Sequence, residues 1–160
     1  MKNVKIKLLK EIDSKLLKVF LNRKISKIEH KIILEGNNLK NNLTFGLLEN
    51  DKILAICPFT YESVKRKNKK YKIASFYGIS LPSLLVSEDI NLKEFRLLIN
   101  IFLQEVEKIC LEEKVDYLKL SFSELVDFNL HSEKYQILQR LLIENQYLDV
   151  SLIGNRVDLK

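Results

Sequence analysis

Tyr77, Ser80 and Ser83 stand out in this chain by residue type and place. They fall between an apolar run ending near Gly78 and a long amphipathic segment, the strand-to-helix connection where α/β proteins gather ligand contacts. Tyr77 is there a candidate general acid, and Gly78, Ser80 and Ser83 are candidate substrate contacts, against competing roles in packing and turn formation. Other chemistry is poorly supplied. His30 and His131 are the only histidines, and neither has a carboxylate or a second ligand at a diagnostic spacing, so no metal site is expected. Cys57 and Cys110 lie far apart without a C-x-x-C spacing, which excludes a disulfide framework and a thiolate zinc site. Both read as buried reduced thiols. Cys57, beside Pro58 on a strand, has no helix N-terminus to lower its pKa and activate it. The four glycines never approach one another closely enough to form G-x-G-x-x-G or a P-loop. The acids Glu105, Glu107, Glu112 and Glu113 read as a solvated helix rim.

Charge supplies a second candidate surface. The net charge is +6 over 160 residues, but residues 1–72 hold 18 Lys or Arg against 7 Asp or Glu, and the remainder is net acidic. Within the basic half, Lys65, Arg66, Lys67, Lys69 and Lys70 form a patch able to touch a phosphate backbone or an anionic lipid, with Tyr71 directly after it. Basic residues are mostly Lys, not the Arg favoured for phosphate forks, which makes nucleic acid the disfavoured partner and a solvated hairpin tip the simpler reading.

The elements that position these residues follow from hydrophobic periodicity. Val4 to Leu8 alternates with period two as a short strand, and Ser14 is read as the cap of a helix through Leu21, with Asp13 near its positive end. Ile25 to Leu34 is ambiguous, and Gly36 to Asn42 reads as a loop. Leu43–Leu48 and Ile53–Tyr61 flank the polar turn Glu49–Lys52 as a hairpin, with Pro58 marking an edge or bulge. Lys65–Lys70 is the tip of a second hairpin leading to a strand from Tyr71 to Tyr77. After a loop from Ile79 to Asp89 comes a helix from Asn91 to Lys114, whose apolar surface, Phe95 to Ile109 with Leu97, Ile101 and Leu103, exceeds a single face. Val115–Phe122 reads as a strand, Ser132–Asn145 as a helix, Tyr147–Ile153 as a strand and Arg156–Lys160 as a short extension. The fold class is therefore α/β in the α+β sense, a mixed, mainly antiparallel sheet flanked by helices. It is expected as one domain over 1–160, with a helical segment and loop in 1–42 and the sheet-helix core in 43–160.

That order, with the hairpin Phe45–Pro58, the run Phe76-Tyr77-Gly78, the long helix and the closing Val157-Asp158-Leu159, resembles a GNAT-type acyltransferase fold. More narrowly it resembles the N-terminal lobe of FemAB-like proteins, two-lobed relatives that add amino acids to peptidoglycan precursors or acyl groups to related substrates. The resemblance implies an acyl-CoA donor and a tyrosine, here Tyr77, protonating a leaving thiolate. It also implies a glycine-containing turn of the form Arg/Gln-x-x-Gly-x-Gly/Ala, whose amides hold the pyrophosphate at the start of the long helix. The matching stretch, Gly78 to Asp89, has no glycine after Gly78 and carries Glu88 and Asp89 where phosphate would sit. No cofactor is evident, although acyl-CoA remains the donor the resemblance implies.

The expected function is a GNAT-like, FemAB-related lobe without a standard acyl-CoA site, acting with a partner chain or as a homodimer. Alternatives are an acyltransferase with an atypical donor loop working on a cell-envelope or sugar precursor, and a module binding nucleic acid or another anionic surface. Enzymatic activity is left open. The N-terminus has lysines but no apolar stretch with a small-residue cleavage site, and the longest apolar candidate, Leu92 to Leu111, carries six charges. A cytoplasmic protein without a transmembrane segment is the expectation.

Overall fold

A computed structural model describes residues 3–22, 33, 41–75, 83–120, 122 and 133–147. Strand β1 (Lys5–Leu8) leads through a short 3-10 turn (Leu9–Glu11) into α1 (Ser14–Asn22). Two hairpins follow, β2 (Phe45–Glu49) with β3 (Lys52–Cys57) and β4 (Thr60–Arg66) with β5 (Lys69–Ser75). A two-residue strand β6 (Leu85–Val86) precedes helix α2 (Leu92–Glu112), and β7 (Tyr117–Leu118) and helix α3 (Glu133–Glu144) complete the described elements. The ladders form two sheets, in order β1-β2-β3-β6 and β4-β5-β7. All pairings are antiparallel except that of β5 with β7.

Strands β2 and β3 are covered on both faces, which explains why they read as nearly continuous apolar runs. Phe45 and Leu47 face the core shared with α2, whereas Leu48 faces a second core built from Leu9, Ile12, Leu17, Phe20, Leu21 and Ile33. Along β3 the alternation slips by one residue: Leu47 pairs with Ala55 and Leu48 with Ile53, so Leu54 is a bulge residue. Leu54 and Ala55 therefore both enter the α2 core, and Ile53 and Ile56 both reach the α1 core. A Cβ at Gly46 would stand 2.5 Å from the Ile12 Cδ1 and close to the ends of Ile56 and Leu48, so a larger residue there would have to push these side chains aside.

Pro58 does more than mark an edge. Lacking an N–H, it ends β3 at Cys57, and the chain re-enters a ladder only at Thr60, in the other sheet. The run Ile53–Tyr61 is therefore two strands. The crossing is tied by the Phe59 N–H donating to Thr44 Oγ1 at 3.1 Å and the Leu43 N–H to the Phe59 carbonyl at 2.8 Å.

Three further sequence readings shift. Asp13, not Ser14, caps α1: its Oδ1 accepts from the Lys15 and Leu16 amides at 2.9 and 3.0 Å, and these bonds hold its carboxyl below the usual carboxylate range. The loop Ile79–Asp89 contains β6, held by Ala55 and Ile56 of β3. The strand Val115–Phe122 shortens to Tyr117–Leu118, with ladder bonds reaching from Asp116 to Lys119. All of the strand Tyr147–Ile153 after Tyr147, the extension Arg156–Lys160, nearly all of the Ile25–Leu34 segment, residues 36–40 of the loop and both histidines lie outside the described residues.

Helix α2 joins the layers. Phe95, Leu98, Ile99, Phe102, Leu103, Val106 and Ile109 are all buried against sheet and α3, whereas Leu97 and Leu111 stay exposed. Both α2 and α3 end in the same motif. Lys114 and Gln146 take left-handed conformations (φ 54° and 63°), and Val115 and Tyr147 donate back to the carbonyls of Cys110 and Leu142.

Leu98→Ala, at a fully buried site, is expected to lower unfolding free energy by about 2 to 5 kcal/mol, whereas Leu111→Ala changes it by no more than about 0.5 kcal/mol. Lys114→Gly and Gln146→Gly should each raise it by about 0.5 to 1 kcal/mol by relieving left-handed backbone. Urea titration followed by circular dichroism reads all four.

Candidate functional site

The candidate site is the connection from β5 to α2. Tyr77, Gly78 and Ser80 lie outside the described residues. Ser83 is described and fully buried, directly before the buried pair Leu84 and Leu85. The Ser87 N–H donates to the Leu54 carbonyl at 2.8 Å, so this end of the connection is sewn to β3. Next, Asp89 pairs with Lys52 at 3.0 Å, an exposed ion pair whose geometry sets position more than stability. Ile90 is buried, and Asn91 opens the helix.

The N-terminus of α2 is occupied by its own side chains. Asn91 Oδ1 accepts from the Glu94 N–H at 3.0 Å, and Glu94 Oε2 accepts from the Asn91 N–H at 3.3 Å. Two of the four amides that a helix leaves open at this end are therefore already bonded. Glu94 also places a carboxylate on the positive end of the helix, and Glu88 and Asp89 precede it within one turn of chain. An anion brought to this end would meet the Glu94 carboxylate, and like charges raise the cost of close approach.

The basic patch does not join this site. Lys65, Arg66, Lys67, Lys69 and Lys70 are all exposed at the turn between β4 and β5, with Lys67 left-handed at φ 52°. Lys69 opens β5 and Ser75 ends it, so the patch and the start of the connection stand about 20 Å apart along the strand.

The thiols are quiet. Burial pushes the fully buried Cys57 thiol well above its usual range, with Cys110 adding to the effect. Burial, with Glu107 beside it, pushes the half-buried Cys110 up to about 11. Among the described residues no cluster of His, Cys, Asp and Glu could hold a metal ion.

The acids of α2 are only partly a solvated rim. Glu107 accepts a hydrogen bond from the Tyr147 hydroxyl at 3.4 Å, and burial followed by Glu107 pushes that phenol upward. Glu113 pairs with Lys72 of β5 at 3.1 Å. Lys72 also lies 4.1 Å from the Tyr61 ring centre, and its own N–H donates to Asp116 at 2.7 Å. This cluster pins the C-terminus of α2 to β5. No sequence signal marks it, because its members are 41 and 44 residues apart.

No family model and no curated protein matches the sequence. Solved structures match the fold. An integron cassette protein of Vibrio cholerae aligns with a TM-score of 0.56 and 13% identity, over 95% of this chain and 90% of that one. A ribosomal-protein-alanine N-acetyltransferase of Brucella melitensis aligns at 0.56 and 10%, over 91% and 90%. A GNAT family acetyltransferase of Staphylococcus aureus aligns at 0.53 and 11%, over 78% and 90%. The fold is GNAT-type, a mixed arrangement of mainly antiparallel sheets flanked by helices. No described helix is long and apolar enough to cross a membrane.

Cys110 and Tyr147 fix an expected pH dependence. Both release their protons at higher pH in the folded chain than in the unfolded chain, so the stability they contribute is complete below about pH 9 and falls as pH rises above it. Unfolding midpoints in urea at pH 8, 9, 10 and 11 should decline. The decline should be shallower in Cys110→Ala; an unchanged slope in that variant would remove Cys110 from the account.

Proposed function

We propose that the chain is a GNAT-like, FemAB-related lobe that does not hold acyl-CoA in the manner usual for the fold, and that a partner chain or a second copy completes it. The observation that carries this reading is the closed N-terminus of α2: the Asn91–Glu94 box takes two of its amides and sets the Glu94 carboxylate on that end of the helix. A pyrophosphate cradle needs the opposite on both counts, open amides and no carboxylates. Leu97, Leu111 and Ile143, which are 42%, 80% and 73% exposed on α2 and α3, support a second chain at the helical layer.

The kinship with FemAB-like proteins rests on the order of elements and on the hairpin Phe45–Pro58. In that reading the substrate class is a cell-envelope or sugar precursor, and Tyr77, Gly78, Ser80 and Ser83 are the residues that would face it. The competing reading is an active acyltransferase with an atypical donor loop, with Tyr77 as its general acid.

Isothermal titration of the folded chain with acetyl-CoA and with CoA separates the two. The expected result is no saturable heat from either compound, in protein that unfolds cooperatively in the same buffer. Saturable binding would overturn the lobe reading and establish a working donor site. Sedimentation equilibrium is expected to show self-association weakened by Leu111→Glu; a monomer at all concentrations would leave a different chain as the completing lobe.

A further inference from the structure

The β4-β5-β7 sheet has two unlike faces. Tyr61, Ala74 and Leu118 stand in register on one face and pack into the core beneath α2, with Lys72 reaching Glu113 on the same side. By strand alternation the opposite face carries Glu62, Val64 and Arg66 from β4, Lys69, Tyr71 and Ile73 from β5, and Tyr117 from β7. Tyr71 and Tyr117 meet across the two strands with ring centroids 5.7 Å apart and planes tilted by 58°. Tyr117 is 59% exposed, although an aromatic side chain of that size is ordinarily mostly covered. Arg66 and Lys69 are cross-strand partners at the end of the same face. Lys65 and Lys70 pair beside them on the other face, and Lys67 occupies the turn. None of these five cations has an ion pair with a described residue.

Tyr71 follows Lys69 by two positions, so the backbone site of the cation pair lies about 7 Å along β5 from that of Tyr71, whose ring meets Tyr117 on the same face. A ligand complementary to this surface alternates anionic groups with flat rings. Single-stranded nucleic acid has that chemistry: its phosphates suit the Arg66–Lys69 end, and its unpaired bases stack on tyrosine. A duplex keeps its bases stacked on one another and out of reach, and an anionic bilayer, which would take the same cations and tyrosines, is the occupant the vesicles below test against. We propose that the outer face of the β4-β5-β7 sheet binds single-stranded nucleic acid, with Arg66 and Lys69 on the phosphates and Tyr71 and Tyr117 on the bases. The composition alone disfavours this partner, because its basic residues are mostly Lys. What the fold adds is Tyr117, brought from 46 positions away to stand beside Tyr71. The proposal stands apart from the acyl-donor site, and either can fail without the other.

Fluorescence anisotropy with a labelled oligothymidylate of about 12 nucleotides tests it, alongside a duplex of equal length and vesicles of anionic phospholipid. Saturable binding of the single strand is expected, tighter than binding of the duplex. Tyr71→Ser and Tyr117→Ser should each weaken it about tenfold, and Tyr117→Phe should retain it. Changing Arg66 and Lys69 together to Gln should lessen the salt dependence by about one unit of log-log slope. Changing the exposed Lys15 and Lys18 of α1 together to Gln alters net charge equally and should leave binding intact. The proposal is overturned if the single strand does not saturate, if duplex or vesicles bind as tightly, if the serine variants bind unchanged, or if the α1 variant loses as much affinity as the hairpin variant. Circular dichroism of each variant establishes that it is folded.

Discussion

Everything else in this molecule leans on the burial of α2. Seven of its apolar side chains lie against sheet and α3, and transfer of each from water is worth about 1.5 to 3 kcal/mol for a Leu, Ile, Val or Phe. The same helix fixes where its ends fall. At its start, β6 and the buried Ile90 lead the chain into the Asn91 cap; at its end, Glu113 takes Lys72 of β5 and the left-handed Lys114 turns the chain toward β7. The parallel placement of β7 beside β5 follows, because a chain leaving α2 at that point meets Lys72 and Ala74 first.

That arrangement also separates two surfaces that are close in sequence. The connection from β5 to α2 begins where β5 ends, whereas the basic turn lies at the strand's opposite end. One surface is closed by side-chain caps and carries carboxylates, and the other is open and carries cations beside aromatic rings. The fold is GNAT-type, with a self-capped helix N-terminus at one end of β5 and a cationic hairpin tip at the other.

Elements governed by local rules were legible. The polar turn Glu49–Lys52 has left-handed Asn50 and Asp51, as a tight hairpin needs, and the charged run Lys65–Lys70 is a hairpin tip. The period of Phe95, Leu98, Phe102, Val106 and Ile109 gave α2 almost to its ends. Readings failed where one residue's role depended on remote partners. Pro58 looked like a defect in one strand and proved to be a change of sheet. Glu113 looked solvated because the ammonium it holds, that of Lys72, comes from a distant part of the chain, whereas Glu107 is exposed as its place on the helix rim implies.

Near-neighbour residue types and their spacing were enough to place both hairpins and the helices around Ser14–Leu21, Asn91–Lys114 and Ser132–Asn145, and to show that no glycine turn precedes α2. It took the packed chain to show that the sheet divides in two, that Asp89 and Glu94 near α2 are tied into an ion pair and a cap, and that Tyr71 and Tyr117 share a face with Arg66 and Lys69. The reason is physical. Register and sheet membership are set by contacts between segments tens of residues apart, and a shift of one residue in any ladder would turn each of these side chains to the opposite face.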